Sequence, residues 1–230
     1  MIRFHKLFTP VIFLPILWLS GCGPSHDIQQ QHLSDSIAPD GVIYCSEGNP
    51  SYLNPQLDTS STTSDVSSHQ IYSRLLDFDE QTGRIQPALA SSWLVSSDGL
   101  TYTFQLRRNV EFHQTEYFQP TRSFNADDVL FSFERWINPS HPYHEVNGGS
   151  YPYFDSLNLA EKIQSIKRIN GYRIEISLFE RDSSFLANLA TDFAVILSAE
   201  YADMLAVANH QSQIDFYPIG TGPFKFDAYQ

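Results

Sequence analysis

The chain has 230 residues, 42% of them hydrophobic and 14% aromatic, enough to bury a core and form one or two domains. Its formal charge of −12 is spread along the sequence without acidic blocks. With no basic patch to neutralise phosphates, this balance argues against nucleic-acid binding; it permits attraction of cationic ligands and favours solubility.

Residues 1–22 read as a processing segment. Arg3, His5 and Lys6 form a basic start, and Val11 to Leu19 is an apolar run too short to span a bilayer. It closes on Leu19-Ser20-Gly21-Cys22, which resembles a bacterial lipobox with Cys22 as the lipid-modified first residue of the mature chain. Lipidation implies a protein tethered to a membrane surface rather than embedded in it. Gly23, in place of Asp, is compatible with outer-membrane sorting in a Gram-negative host. Residues 23–40 are polar and aperiodic, as a flexible tether would be.

Val42-Ile43-Tyr44-Cys45 is the first strand-like run. Cys45 is the other of the two cysteines, and an odd thiol in an oxidising compartment points either to a missing partner or to a free thiol. Pro55 forces Asn54 out of the helical region. Ser60 to Ser68 is small and polar, and Ile71, Leu75 and Leu76 predict a short helix leading to Asp77-Phe78-Asp79, with a turn over Glu80 to Arg84.

Asp98-Gly99 marks a turn between Trp93-Leu94-Val95 and the run Tyr102 to Arg107. Tyr102, Phe104 and Leu106 alternate with Thr103, Gln105 and Arg107, as a half-buried strand requires. Asn125 precedes Ala126-Asp127-Asp128-Val129 and predicts a capped helix with two carboxylates at its positive end. Val129, Leu130, Phe133 and Trp136 continue at helical spacing. Residues 138–156 are rich in loop signals. A hairpin follows, with Ile163 to Ile169 joined by Asn170-Gly171 to Tyr172 through Leu178, the Asn-Gly pair supplying positive φ. Phe185 to Phe193 and Ala199 to Val207 read as helices, the second capped by Ser198.

The order and identity of these pieces carry more than their local structure. The stretch Pro87 to Arg135 holds P-A-L-A-S-S-W, the S-D-G turn, YTFQLRR, the Phe112-His113 pair and the N-A-D-D-V helix start. It resembles the signature region of the extracytoplasmic peptide-binding proteins of ABC importers, solute-binding family 5. YCSEG, NPQL, GGSY and PIGTGPF resemble the dipeptide-binding branch; PTRSFNADDV and the SAEYA run resemble the Sap type, associated with antimicrobial-peptide resistance.

The resemblance implies an α/β fold of the periplasmic-binding-protein type II kind, with mixed sheets and discontinuous domains, truncated here. Residues 41–75 would open the first domain, 76–215 form the second, and 216–230 return to the first through glycines that permit tight turns. It implies that Cys45 is bridged to a cysteine outside this chain, and that the chain is an N-terminal fragment. It implies a function of capture, in which a peptide is bound outside the cytoplasmic membrane and delivered to an inner-membrane ABC permease and ATPase complex. The protein would be a monomer, lipid-anchored in the periplasm, with no cofactor. Thr59, Ser60, Ser61, Thr62 and Thr63 would line the cleft and pair with the ligand backbone as an added strand would. Charged groups holding peptide termini would lie elsewhere, so the isolated 230 residues are expected to bind peptide weakly or not at all. A haem- or glutathione-binding lipoprotein on the same scaffold is the alternative.

Enzymatic readings find little support. No G-x-S-x-G elbow is present, and Asp127-Asp128 is explained by the helix start. Gly220-x-Gly222 lacks the third glycine of a dinucleotide fingerprint. His141 and His144 stand in a proline-containing loop with no convergent metal ligands, so no metal site is expected.

Overall fold

The structure, a computed structural model, describes residues 48–228 together with Ile43 and Cys45. The lipobox, with Cys22, and the tether at 23–40 lie outside the described residues. Of the strand-like run at 42–45, Ile43 and Cys45 are described; both are exposed and neither is in a strand. The elements below all belong to the unit Tyr44–Gln230.

The first helical turn, α1 (Ser61–Thr63), widens into a π turn over Ser64–Ser68. Ser60 starts it, its Oγ accepting a hydrogen bond from the Thr63 N–H at 3.3 Å. The helix expected around Ile71 to Leu76 therefore stands upstream. Its polar hydroxyls bond inward, Ser67 Oγ to Thr63 O at 2.7 Å and Ser68 Oγ to Asp192 O at 2.6 Å, which no apolar periodicity reveals. Ile71, Leu75 and Leu76 are core residues of an extended run that enters strand β1 (Leu76–Phe78). Strand β1 pairs antiparallel with β2 (Ile85–Pro87) around the predicted turn.

The main sheet is antiparallel throughout. Its strands β3 (Ala90–Val95), β4 (Thr101–Leu106), β5 (Ile163–Asn170) and β6 (Arg173–Leu178) stand in the order β3-β4-β6-β5. The β3–β4 turn is the Asp98-Gly99 turn, where Gly99 takes φ +70°. On one face Tyr102, Phe104 and Leu106 of β4 lie beside Ile174, Ile176 and Leu178 of β6, all buried. Each such side chain contributes about 1.5–3 kcal/mol of burial. Helix α2 (Ala126–Ile137) covers this core with Ala126, Val129, Phe133 and Trp136. Trp136 stacks on Phe154 of α3 (Pro152–Ser156), with ring centres 4.2 Å apart.

The β5–β6 hairpin forms as expected, but its turn does not. Neither Asn170 nor Gly171 has positive φ. A register shift between Arg168 and Asn170 moves the reversal onto Gly171-Tyr172. Tyr172 N–H donates to Asn170 Oδ1 at 2.9 Å, and Gly171 O accepts from Ala126 N–H at 2.9 Å, satisfying a free donor at the start of α2.

Three further short α-helices follow, α4 (Leu159–Lys162), α5 (Phe185–Asn188) and α6 (Ala199–Val207), and 3-10 turns cover Val146–Gly148 and Gln211–Asp215. Helix α6 has the expected bounds, with Ser198 Oγ accepting from Tyr201 N–H at 3.2 Å. The helix expected over Phe185 to Phe193 ends at Asn188, and the chain then turns so that Asp192 reaches α1 and its π turn.

Candidate functional site

The segment Thr59 to Thr63 is organised by Asp58. Its Oδ1 accepts from Ser60 N–H at 2.8 Å, and its Oδ2 accepts from Ser60 Oγ at 2.9 Å and stands 2.8 Å from Thr63 Oγ1. Partial burial works against the charge, but the bonds from Ser60 and Thr63 outweigh it and hold the carboxyl below its ordinary 3.8. Thr59, Ser60 and Ser61 are exposed, Thr62 is half-buried and Thr63 is buried. The Thr63 hydroxyl lies between Asp58 and Tyr52 O, each 2.8 Å away. Ser61 to Thr63 are helical, and Ser60 O accepts from Ser64 N–H at 3.1 Å. An added strand needs extended backbone, and within the five residues only Thr59 and Ser60 stand outside the helix.

Along α2 runs a polar stripe that the sequence does not announce. Asp128, Ser132 and Arg135 recur at i, i+4 and i+7 on α2, a spacing that reads as a solvent face, yet all three are completely buried. Asp128 takes a bidentate bond from Arg122 at 2.7 and 2.8 Å, caps its own helix through Asn125 N–H at 2.9 Å, and receives Ala199 N–H at 2.9 Å. Ser132 Oγ accepts from Leu197 N–H at 2.8 Å. Arg135 forms a bidentate pair with Asp215, both contacts 2.7 Å.

Asp215 also accepts from Asn54 Nδ2 and Asn147 Nδ2, each at 2.6 Å, so the Asn54-Pro55 segment is anchored directly to the α2 ion pair. Burial alone would favour deprotonating Arg135. The charge and hydrogen bonds of Asp215, with help from Tyr151, outweigh that and raise its pKa further. Sequence reasoning missed this hub; the available signal was Arg135 standing one residue before Trp136 on a helix otherwise committed to the core.

A second network holds the π turn. Asp192 accepts from Ser64 Oγ at 2.7 Å and meets His69 Nε2 at 2.7 Å. Buried Arg74 donates to His69 Nδ1 at 3.1 Å, to Ser68 Oγ at 3.1 Å and to Asp77 at 2.9 Å. Because Arg74 can only donate, the neutral His69 ring carries its proton on Nε2, facing Asp192. An open groove of about 780 Å³ lies here, edged by His69, Asp77, Phe78, Asp192 and Phe193.

The Gly220-Thr221-Gly222 segment packs against the outgoing stretch 70–72. Gly222 N–H donates to Ile71 O at 2.8 Å and Phe224 N–H to Gln70 O at 2.9 Å. Neither glycine has positive φ; each is required because a Cβ would collide with backbone, 2.0 Å from Ile71 O at Gly220 and 2.6 Å from Gln70 O at Gly222. Close approach, rather than the expected tight turning, is what these glycines supply. His113 closes the arrangement, with its N–H bonded to Gly220 O and its Nε2 to Gly222 O, both at 2.9 Å.

The loop histidines are engaged with backbone. His141 Nδ1 accepts from Tyr143 N–H at 3.2 Å, and His144 Nδ1 donates to Arg135 O at 2.8 Å. Among the described residues there is no group of three or more His, Cys, Asp and Glu suited to a metal ion, and no helix long and apolar enough to cross a membrane. Cys45 is an exposed free cysteine among the described residues.

The family described as bacterial extracellular solute-binding proteins, family 5 Middle, matches residues 84–230. The chain is 48% identical over 195 residues to the dipeptide-binding protein of Escherichia coli (strain K12), covering 85% of this chain and 36% of that protein. It is 43% identical over 217 residues to heme-binding protein A of Haemophilus influenzae, covering 93% of this chain and 40% of that protein. A solved dipeptide-binding protein from Pseudoalteromonas sp. SM9913, in complex with Met-Leu, superposes with a TM-score of 0.79 at 46% identity, covering 81% of this chain and 37% of that one. The chain thus spans between about a third and two fifths of the length of the curated relatives it matches.

Proposed function

This chain belongs to the bacterial extracellular solute-binding proteins of family 5, and on that premise we propose that it is part of the substrate-binding component of an ABC importer, capturing peptides outside the cytoplasmic membrane. The observation that carries the reading is the 48% identity with a dipeptide-binding protein, sustained over 85% of this chain. The captured peptide would pass to a membrane permease and its ATPase, with no chemical step on the way. The protein works as a periplasmic monomer anchored through lipid on Cys22, and Cys45 pairs with a cysteine beyond this chain.

The first domain is composed of 41–75 and 216–230. In support, Gly222 and Phe224 bond to Ile71 and Gln70, joining the two segments. The second domain is 76–215, containing the main sheet. Ligand contact is assigned to Thr59, Ser60, Ser61, Thr62 and Thr63. Thr59 and Ser60 supply the backbone outside the helix, and Ser61 and Thr62 supply accessible hydroxyls, while Thr63 supports them from inside.

The identity with a heme-binding protein over 93% of this chain favours haem as the second reading. Photo-crosslinking separates the two, because it registers weak binding. A dipeptide carrying a diazirine side chain is expected to label residues 58–63, and excess unlabelled dipeptide to suppress the label. Competed label elsewhere would refute the assigned contacts while sparing the function. No competed label, together with a Soret band on haem titration, would replace peptide by haem.

A further inference from the structure

His113 stands at the point where the returning segment meets the outgoing one, and its bonding depends on which ring nitrogen carries a proton. Nε2 faces the carbonyl of Gly222 and must donate. Nδ1 faces the N–H of Gly220 at 3.4 Å and must accept. The neutral Nε2–H ring satisfies both; a second proton on Nδ1 would point at an N–H and abolish that contact. We propose that the neutral imidazole of His113 is a clip holding Gly220–Gly222 to the His113 stretch, and so in register beside 70–72, and that protonation of the ring under mildly acidic conditions loosens this junction without unfolding the rest of the unit.

Among the described residues, no carboxylate is bonded to the His113 ring, whose side-chain bonds are those to Gly220 and Gly222. Burial disfavours the charged ring most; the bond to the Gly222 carbonyl works the other way, the field of Lys225 on the returning segment adds to burial, and the balance leaves the pKa below the ordinary 6.5. On its own stretch, Glu111 and Glu116 are exposed, and Glu111 accepts from Ser123 Oγ at 2.6 Å. Tyr117, pushed up to about 12 by burial, stays neutral and donates to Pro218 O at 3.0 Å, so it clips the same segment without responding to acid. Tyr72, on the outgoing segment, is likewise neutral, because burial raises its hydroxyl well above 10.0. Asp227, farther along the returning segment, is exposed.

Amide hydrogen exchange on the 230-residue chain reads the junction, since the Gly222 and Phe224 amides bond to Ile71 and Gln70 beside the residues that His113 holds. After correction for intrinsic exchange, their protection should fall between about pH 7.5 and pH 5.5, by up to about tenfold per unit separating the folded and open pKa values. Amides inside α2 should keep theirs. His113→Gln, which retains a donor and an acceptor but does not titrate, should flatten the response. Equal loss in α2, an unchanged response in the glutamine variant, or no response in the wild type would each overturn the proposal. Should the variant fail to fold, NMR titration of the wild-type ring decides, and a pKa at or above 6.5 refutes it.

Discussion

Arg135 and Asp215 are both completely buried and 80 residues apart, and their pairing sets what either substitution would do. Two charges taken out of water are offset by a bidentate geometry and by the amides of Asn54 and Asn147, so removal of one partner leaves the other charged in the interior. Arg135→Met is expected to cost about 3–5 kcal/mol in a urea titration. Adding Asp215→Asn should recover part of it, because the stranded charge is then gone. A single-variant cost below about 1 kcal/mol would mean that water reaches the pair. The same residue shows where sequence reading falls short. Arg135 lies within the family signature and on the amphipathic helix, but an arginine at that spacing reads as solvated, and only Asp215 from far along the chain makes burial tolerable.

At the scale of elements, strand alternation and helix caps behave as their sequences suggest, as does the Asp98-Gly99 turn but not the Asn170-Gly171 one, whereas contacts between elements do not. The alternation in β4, the Asp98-Gly99 turn, the Asn125 start of α2 and the Ser198 start of α6 were all legible, since each rests on groups within a few residues. The helix at 61–68 was not, because serines and threonines stabilise it through bonds to Asp58 and Asp192. The junction of 218–224 with 70–72 is the sharpest case. Gly220→Ala would place a methyl 2.0 Å from a backbone oxygen that cannot swing aside. The segments must separate, with loss of the Gly222 and Phe224 bonds, at an expected cost of about 4 kcal/mol or more by denaturant midpoint. Gly171→Ala, where a Cβ meets nothing, is the control and should leave stability within about 0.5 kcal/mol.

At the scale of the whole molecule, the titrating groups predict a two-step acid profile. His113 and His141 are each held below 6.5, in both cases chiefly by burial. As pH falls below 6.5 the unfolded chain therefore binds more protons than the folded one. The stability these groups contribute is complete above 6.5 and is lost on going down through their folded values. Asp58 and Asp182 are held below 3.8 because hydrogen bonds outweigh the burial that opposes their charge; their contribution is present above 3.8 and is lost below it. Tm should be level at neutral pH, decline first below about 6.5 and again below about 4, with His113→Gln reducing the first step. A Tm level down to about pH 5 would contradict the histidine assignment.

The sequence by itself determined the strand alternation, most turns and caps, and membership of family 5, because these depend on neighbouring residues and on ordered local motifs. It also singled out the Thr59–Thr63 segment, as an expectation drawn from resemblance. Tertiary structure decided that Thr63 is interior, that the Asp128-Ser132-Arg135 stripe is buried, and that Gly220 and Gly222 serve close approach rather than turning. The physical reason is common to all three. Burial of a polar group, or exclusion of a Cβ, is set by a partner distant in the chain, and local pattern carries no information about that partner.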